Sequence, residues 1–145
     1  MHTHTKVLVV GCFGLSLALA ACSDDDSGLT KAEFVDQANA ICVRGDQEIG
    51  VAVGSVFGGD DVGPEQLQAA LDTIVSVSRR QLEEITALDA PSSLDDEVKQ
   101  MVAEGRSATD AAEAQGLGFF ETEDDPWQRT GELASELGLD ACAGD

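Results

Sequence analysis

Residues Pro64 to Pro91 read PEQLQAALDTIVSVSRRQLEEITALDAP, and this stretch carries the strongest periodic signal in the chain. Leu67, Leu71, Ile74, Ser78, Leu82, Ile85 and Leu88 recur at intervals of three and four, so on a helix they form one stripe six turns long. Pro64 suits the first helical turn, where its missing N–H costs nothing. Pro91 ends the pattern, because its ring pushes Ala90 out of helical conformation. A long helix with one apolar face needs other helices to cover that face, so the flanking sequence is read for partners.

On the N-terminal side, Thr30-Lys31-Ala32-Glu33 fits a capping box, with Leu29 and Phe34 at the two positions of a hydrophobic staple. Phe34, Ala38, Ile41, Cys42, Gly45, Ile49, Ala52 and Val56 then share a face of helix one. Gly50 and Gly54 predict fraying before a stop at Gly58-Gly59. On the C-terminal side, Ser92 or Ser93 caps a third helix whose first turn carries Asp95, Asp96 and Glu97, favourable at the positive end of the helix dipole. Its stripe is Leu94, Val98, Met101, Gly105, Ala108 and Ala112, dominated by small residues in its second half. Leu117 to Asp125 reads as a loop. Asp125-Pro126 starts a short fourth helix, with Trp127, Thr130, Ala134 and Leu137 on one face and Gly138 as its stop. Four helices, short connections and no alternating apolar pattern predict an all-α, up-down-up-down four-helix bundle.

The N-terminus has a different character. Lys6 precedes 14 apolar residues, Val7 to Ala20, and Leu19-Ala20-Ala21-Cys22 is followed at once by Ser23-Asp24-Asp25-Asp26. Fourteen residues are fewer than the roughly 20 that a membrane span requires. The run has the shape of a cleaved signal, and Leu19 to Cys22 resembles a bacterial lipobox. That resemblance implies a diacylglycerol thioether on Cys22, which becomes the mature N-terminus on the extracytoplasmic side of the cell membrane. The alternative is an ordinary secretory signal with Cys22 merely following the cleavage site. The chain is thus expected to divide into a signal peptide over 1–21, a lipidated acidic tether over 22–29 and a helical domain over 30–145.

Removal of the signal leaves 124 residues, enough for one core. It also takes away His2, His4 and Lys6, so seven Lys and Arg face 28 Asp and Glu, for a net charge of −21 with no histidine and no tyrosine. The commonest acid–base side chain and the usual imidazole metal ligand are therefore missing from the domain. With Cys12 in the signal and Cys22 under lipid, Cys42 and Cys142 are the remaining thiols. In an oxidising compartment they are expected to pair, the alternative being two separate buried thiols. Pairing suits the bundle. An antiparallel fourth helix returns the chain end to the early part of helix one, where Cys42 lies about 18 Å beyond Thr30.

A wider resemblance covers most of the mature chain. Lys31-Ala32-Glu33-Phe34 through Ala40-Ile41-Cys42, the segment Ile85 to Pro91, and Gly138-Leu139-Asp140-Ala141-Cys142 are similar to phrases in small actinobacterial helical lipoproteins. The resemblance implies the lipid anchor, the Cys42–Cys142 pair and a helical fold, and it brings no catalytic residues.

Sharper motifs do not hold up. Arg44-Gly45-Asp46 spells an adhesion tripeptide but falls inside helix one. Glu121, Glu123, Asp124 and Asp125 form an acidic loop without the spacing of a calcium-binding hand. Glu48 could project inward as in di-iron bundles, but the histidines of that site are missing. No serine is paired with an evident base, and nothing resembles Cys-x-x-Cys. The charge disfavours nucleic acid, since no basic patch exceeds Arg79-Arg80. No catalytic residue, cofactor or metal ligand set is expected.

Two functions remain. One is a non-catalytic binding or protein-interaction module at the envelope, with Phe119, Phe120 and Trp127 as candidate partner contacts unless they simply fill the bundle end. The other is an accessory subunit or carrier of a small ligand or cation. An apolar cavity around Gly105, Ala108 and Ala112 would favour the carrier, and a filled core with exposed aromatics the interaction module.

Overall fold

The computed structural model describes residues 28–58 and 62–144. The expected signal peptide, Cys22 and most of the acidic tether lie outside the described residues. Four α-helices follow one another: α1, Lys31–Phe57; α2, Pro64–Thr86; α3, Asp95–Gln115; and α4, Gln128–Leu137. Two 3-10 helices complete the fold, η1 at Gly116–Glu121 and η2 at Asp140–Cys142. Among the described residues there is no strand, and no helix is long and apolar enough to cross a membrane.

The capping box forms at the start of α1. Glu33 N–H donates to Thr30 Oγ1 at 3.3 Å, and Thr30 N–H donates to Glu33 Oε2 at 3.0 Å. The Thr30 hydroxyl also donates to Glu33 Oε2, at 2.7 Å. These bonds, the hydroxyl's first, hold the Glu33 carboxyl below its ordinary value of 4.5. Their stabilisation is complete above the unfolded glutamate value and is lost as pH falls through the lower folded one. Thr30→Ala is expected to cost about 1 kcal/mol near pH 7. Urea unfolding at pH 7 and pH 3 should show a smaller acid loss in the variant than in the parent chain.

Helix α1 does not fray at Gly50 and Gly54 but runs unbroken to the cap at Gly58. Each glycine costs about 1 kcal/mol of helix propensity relative to alanine. Packing of α1 along α2, with Val56 still buried near its end, outweighs that cost. Helix α2 buries more than its stripe, because it packs against both α1 and α3 and so also covers Ala70, Val75 and Val77. Helix α3 starts at Asp95 with Leu94 at the cap position, rather than at a serine cap. The turn that sets it up is closed by the Leu94 N–H bond to Pro91 O.

The central core gathers Phe34, Ala38 and Ile41 of α1, Leu82 and Ile85 of α2, Val98 and Met101 of α3, and Leu133 and Leu137 of α4. Arginines link the helices outside it. Arg44 meets Glu84 and Arg80 meets Glu48 across α1 and α2, while Arg79 bridges from α2 to Asp110 and Glu113 on α3. Exposed pairs of this kind each contribute little stability, but they answer two sequence questions. Glu48 points outward to Arg80, and the Arg79-Arg80 pair is engaged by carboxylates.

Helix α4 begins two residues later than the Asp125-Pro126 signal suggests. Asp125 still acts as the cap of a preceding turn, its Oδ1 accepting from Trp127 N–H at 2.8 Å and its carbonyl from Gln128 N–H. The other end closes in a Schellman motif. Gly138 adopts the left-handed conformation, φ 80°, and the N–H groups of Gly138 and Leu139 return to the Ser135 and Ala134 carbonyls. Leu139 is fully buried, and η2 follows directly.

The chain end is fastened to α1. Cys142 is disulfide-bonded to Cys42, with Cα atoms 5.2 Å apart. Asn39 grips the same segment, its Oδ1 accepting from Ala141 N–H at 2.9 Å and its Nδ2 donating to Gly138 O at 3.4 Å. Helix α4 packs on α3, and the main contact of this chain end with α1 runs through η2. The bundle is up-down-up-down as the sequence predicts, but its fourth corner is only partly filled.

Candidate functional site

The unfilled corner is a cleft. At 1.5 Å per residue α1 and α2 are about 40 and 35 Å long, whereas α4 is only about 15 Å. Between them lies a cavity of about 340 Å³. Helix α1 lines it with Cys42, Asp46 and Ile49, and α2 with Ile74, Ser78 and Leu82. Phe119, Asp125, Trp127 and Thr130 form the facing wall, and the chain end from Ala141 to Gly144 closes one side. Most of this lining is apolar. The site does not lie around Gly105, Ala108 and Ala112, which are buried in the α3 packing. A Cβ on Gly105 would press on Leu82, and Met101 is the residue α3 supplies to the cleft.

The three aromatic candidates are half-buried and belong to one chain of rings. Phe57 and Phe120 have centroids 5.9 Å apart, Phe120 and Phe119 5.1 Å, and Phe119 and Trp127 5.9 Å with their planes at 84°. The stretch read as a loop is thus partly the helix η1, which presents Phe119 to the cleft and Phe120 to Phe57. Trp127 is held by its indole N–H, which donates to Thr109 Oγ1 at 3.3 Å. Thr109 is fully buried and in turn donates to Gly105 O at 2.8 Å. This pair of bonds seats Trp127 against α3 while its ring forms cleft wall.

Polar groups in the cleft are few. Gln81 lies over the buried Gly45 and donates to Cys42 O at 3.1 Å, so it serves the α1–α2 contact. Thr130 Oγ1 is buried with no hydrogen-bond partner. A buried hydroxyl in that state costs about 1–3 kcal/mol. Asp46 of α1 and Asp125 before α4 are exposed carboxylates in the lining, and among the described residues no lysine or arginine lines the cavity. Asp46 was noticed in the sequence only as part of the adhesion tripeptide, which is helical here with Gly45 buried and Arg44 paired to Glu84. Sequence reasoning missed Asn39 and Gly131, which no local pattern marks, and it placed Thr130 on the buried face of helix four without seeing a cleft there.

Gly131 shapes the wall. A Cβ there would collide with the Ala143 carbonyl, so the glycine lets the chain end pass against α4. Gly131→Ala is expected to cost about 2 kcal/mol by overpacking. Its damage should be local, appearing as faster amide exchange and proteolysis over residues 140–144.

Two other features compete. A hollow of about 450 Å³ beside α2 and α3 is lined by Asp89, Asp95, Lys99 and Arg106 among others. It is a charged furrow in which Lys99 is already paired with Asp95. On the outer face of α1, Val43, Val51 and Phe57 are exposed beside Gly50 and Gly54, with no charged residue from Ile49 to Gly58. Among the described residues, no group of three or more His, Cys, Asp or Glu is placed to hold a metal ion. No family model, curated protein or solved structure matches the chain.

Proposed function

We propose that this protein is a non-catalytic binding module, held by lipid on Cys22 at the extracytoplasmic face of the cell membrane, and that the cleft beside α4 is its ligand site. One observation carries the reading: a largely apolar cavity of about 340 Å³, a size suited to small ligands, is walled by six segments of the chain and contains few polar groups. The lack of histidine and tyrosine beyond residue 4 supports a binding role over acid–base catalysis.

Trp127 is the only tryptophan in the chain and stands in the cleft wall, so its emission reports occupancy directly. Titration of the purified chain with small apolar probes should shift that emission and raise the melting temperature. Ser78→Phe, which fills the cavity from α2, should abolish both responses. Probes that bind the variant as well as the parent chain would overturn the cleft assignment. The anchor is tested separately. Cys22→Ala should move the protein out of the membrane fraction, and unchanged membrane partition would refute it.

A further inference from the structure

We infer that the outer face of α1 is the contact surface for a second copy of this chain, with the two α1 helices packed antiparallel about a two-fold axis. The inference stands whether or not the cleft binds a ligand. Ala40, Val43, Gln47, Gly50, Gly54 and Phe57 follow one another at alternating intervals of three and four, the spacing of a coiled-coil seam. All six are exposed, whereas Phe34, Ala38, Ile41 and Gly45 of the same helix are buried in the bundle. Val43 is 44% exposed, Phe57 56%, and Val51 beside them 75%, so the exposed apolar side chains of α1 fall in one strip. The glycines in that strip serve no contact of the single chain. A Cβ at Gly50 or Gly54 would meet nothing within 4 Å among the described residues, yet each glycine lowers helix propensity. What they supply is a shallow notch that another helix can enter closely.

The strip is complementary to itself when inverted, which points to a second copy as its occupant. In an antiparallel pair centred between Gln47 and Gly50, Phe57 lies on Ala40 of the second copy, Val43 on Gly54 and Gln47 on Gly50. Every layer then joins one larger and one smaller side chain, and the two-fold axis repeats each contact in reverse. A parallel pair would set phenylalanine on phenylalanine and glycine on glycine, with crowded layers beside voids. Charge agrees with the antiparallel pair. The six seam positions carry no charge, and the flanking Arg44 and Asp46 come opposite Val51 and Val53 of the second copy. Two chains of net charge −20 therefore meet here without opposing like charges. A lipid surface would use Val51 and Phe57 but gain nothing from the notches at Gly50 and Gly54. The seam is only about 26 Å long, so the contact is smaller than a standard interface and the dissociation constant is expected on the order of 10 μM.

The test is sedimentation equilibrium of the full chain at concentrations on both sides of that value. The parent chain should show a reversible monomer–dimer equilibrium. The double variant Gly50→Gln, Gly54→Gln fills the notches and should weaken the dimer roughly tenfold or more. The same variant should melt higher than the parent when both are monomeric, because glutamine is the better helix former and neither side chain meets another part of the monomer. Loss of the dimer thus cannot be a failure to fold. Ala114→Gln, on the exposed surface of α3, is the control and should leave association unchanged. Gly54→Val should weaken the dimer by crowding Val43 of the second copy, and adding Val43→Ala should restore it. A parent chain that stays monomeric would overturn the inference, and so would a dimer that the glycine variant forms as well as the parent. Failure of Val43→Ala to rescue Gly54→Val would overturn the antiparallel pairing. A monomeric parent chain that binds phosphatidylcholine vesicles more tightly than the glycine variant does would give the face to a membrane instead.

Discussion

Replacing both Cys42 and Cys142 by serine is expected to lower the unfolding free energy by about 4 kcal/mol, since the bond closes a loop of 100 residues in the unfolded chain. For a domain of this size that is a fall of about 15 °C in melting temperature. Adding reductant to the parent chain should reproduce the effect. The loss has a local component as well. The disulfide and the two Asn39 hydrogen bonds hold the same segment, and that segment forms one side of the cleft. Ligand affinity should therefore fall with the bond even at temperatures where the bundle stays folded. A change below about 1 kcal/mol in urea unfolding would mean that Asn39 and Leu139 secure the chain end without covalent help.

Phe34→Ala should be almost as damaging, at about 4 kcal/mol. Phe34 is fully buried and is the largest side chain in the core, one turn into α1. Truncation removes its apolar surface from the core and leaves a void where the start of α1, the end of α2 and the chain end converge. Phe34→Leu keeps most of the volume and should cost less than half as much. The check is a urea midpoint that falls while the slope stays constant, which marks lost stability rather than a changed unfolded state. Cleft binding measured well below the melting temperature should be little altered, because Phe34 does not line the cavity.

Much of the fold was legible because its main determinants are local. The stripe from Leu67 to Leu88, the Thr30–Glu33 box and the stops at Pro91 and Gly138 each act within a few residues, and each has its counterpart in the structure. The Cys42–Cys142 bond was legible by counting thiols. The errors were errors of end chemistry and propensity. Serines 92 and 93 precede a helix that takes Leu94 at its cap position, and Gly50 and Gly54 failed to loosen a helix that packing holds straight.

The cleft was not legible, because it arises from unequal lengths. A ten-residue helix opposite helices of 27 and 23 residues leaves space that no single segment announces. Phe119 and Trp127 were singled out as aromatic, but their shared wall depends on η1, whose 3-10 turn carries no periodic apolar pattern. Thr130 and Gly131 read as ordinary positions on an amphipathic helix. Their importance comes from what the chain end does 12 residues later, when it turns back past Gly131 toward α1.

The disulfide also decides how the molecule would carry a mechanical load. Tension applied between residue 28 and residue 144 would enter through the first three turns of α1, cross from Cys42 to Cys142, and leave by the last two residues. Residues 43–141, which include all of α2, α3 and α4, lie outside that path as a covalently closed ring. Pulled between those two points, the domain would extend only over residues 28–42 and 142–144 before the bond itself took the force.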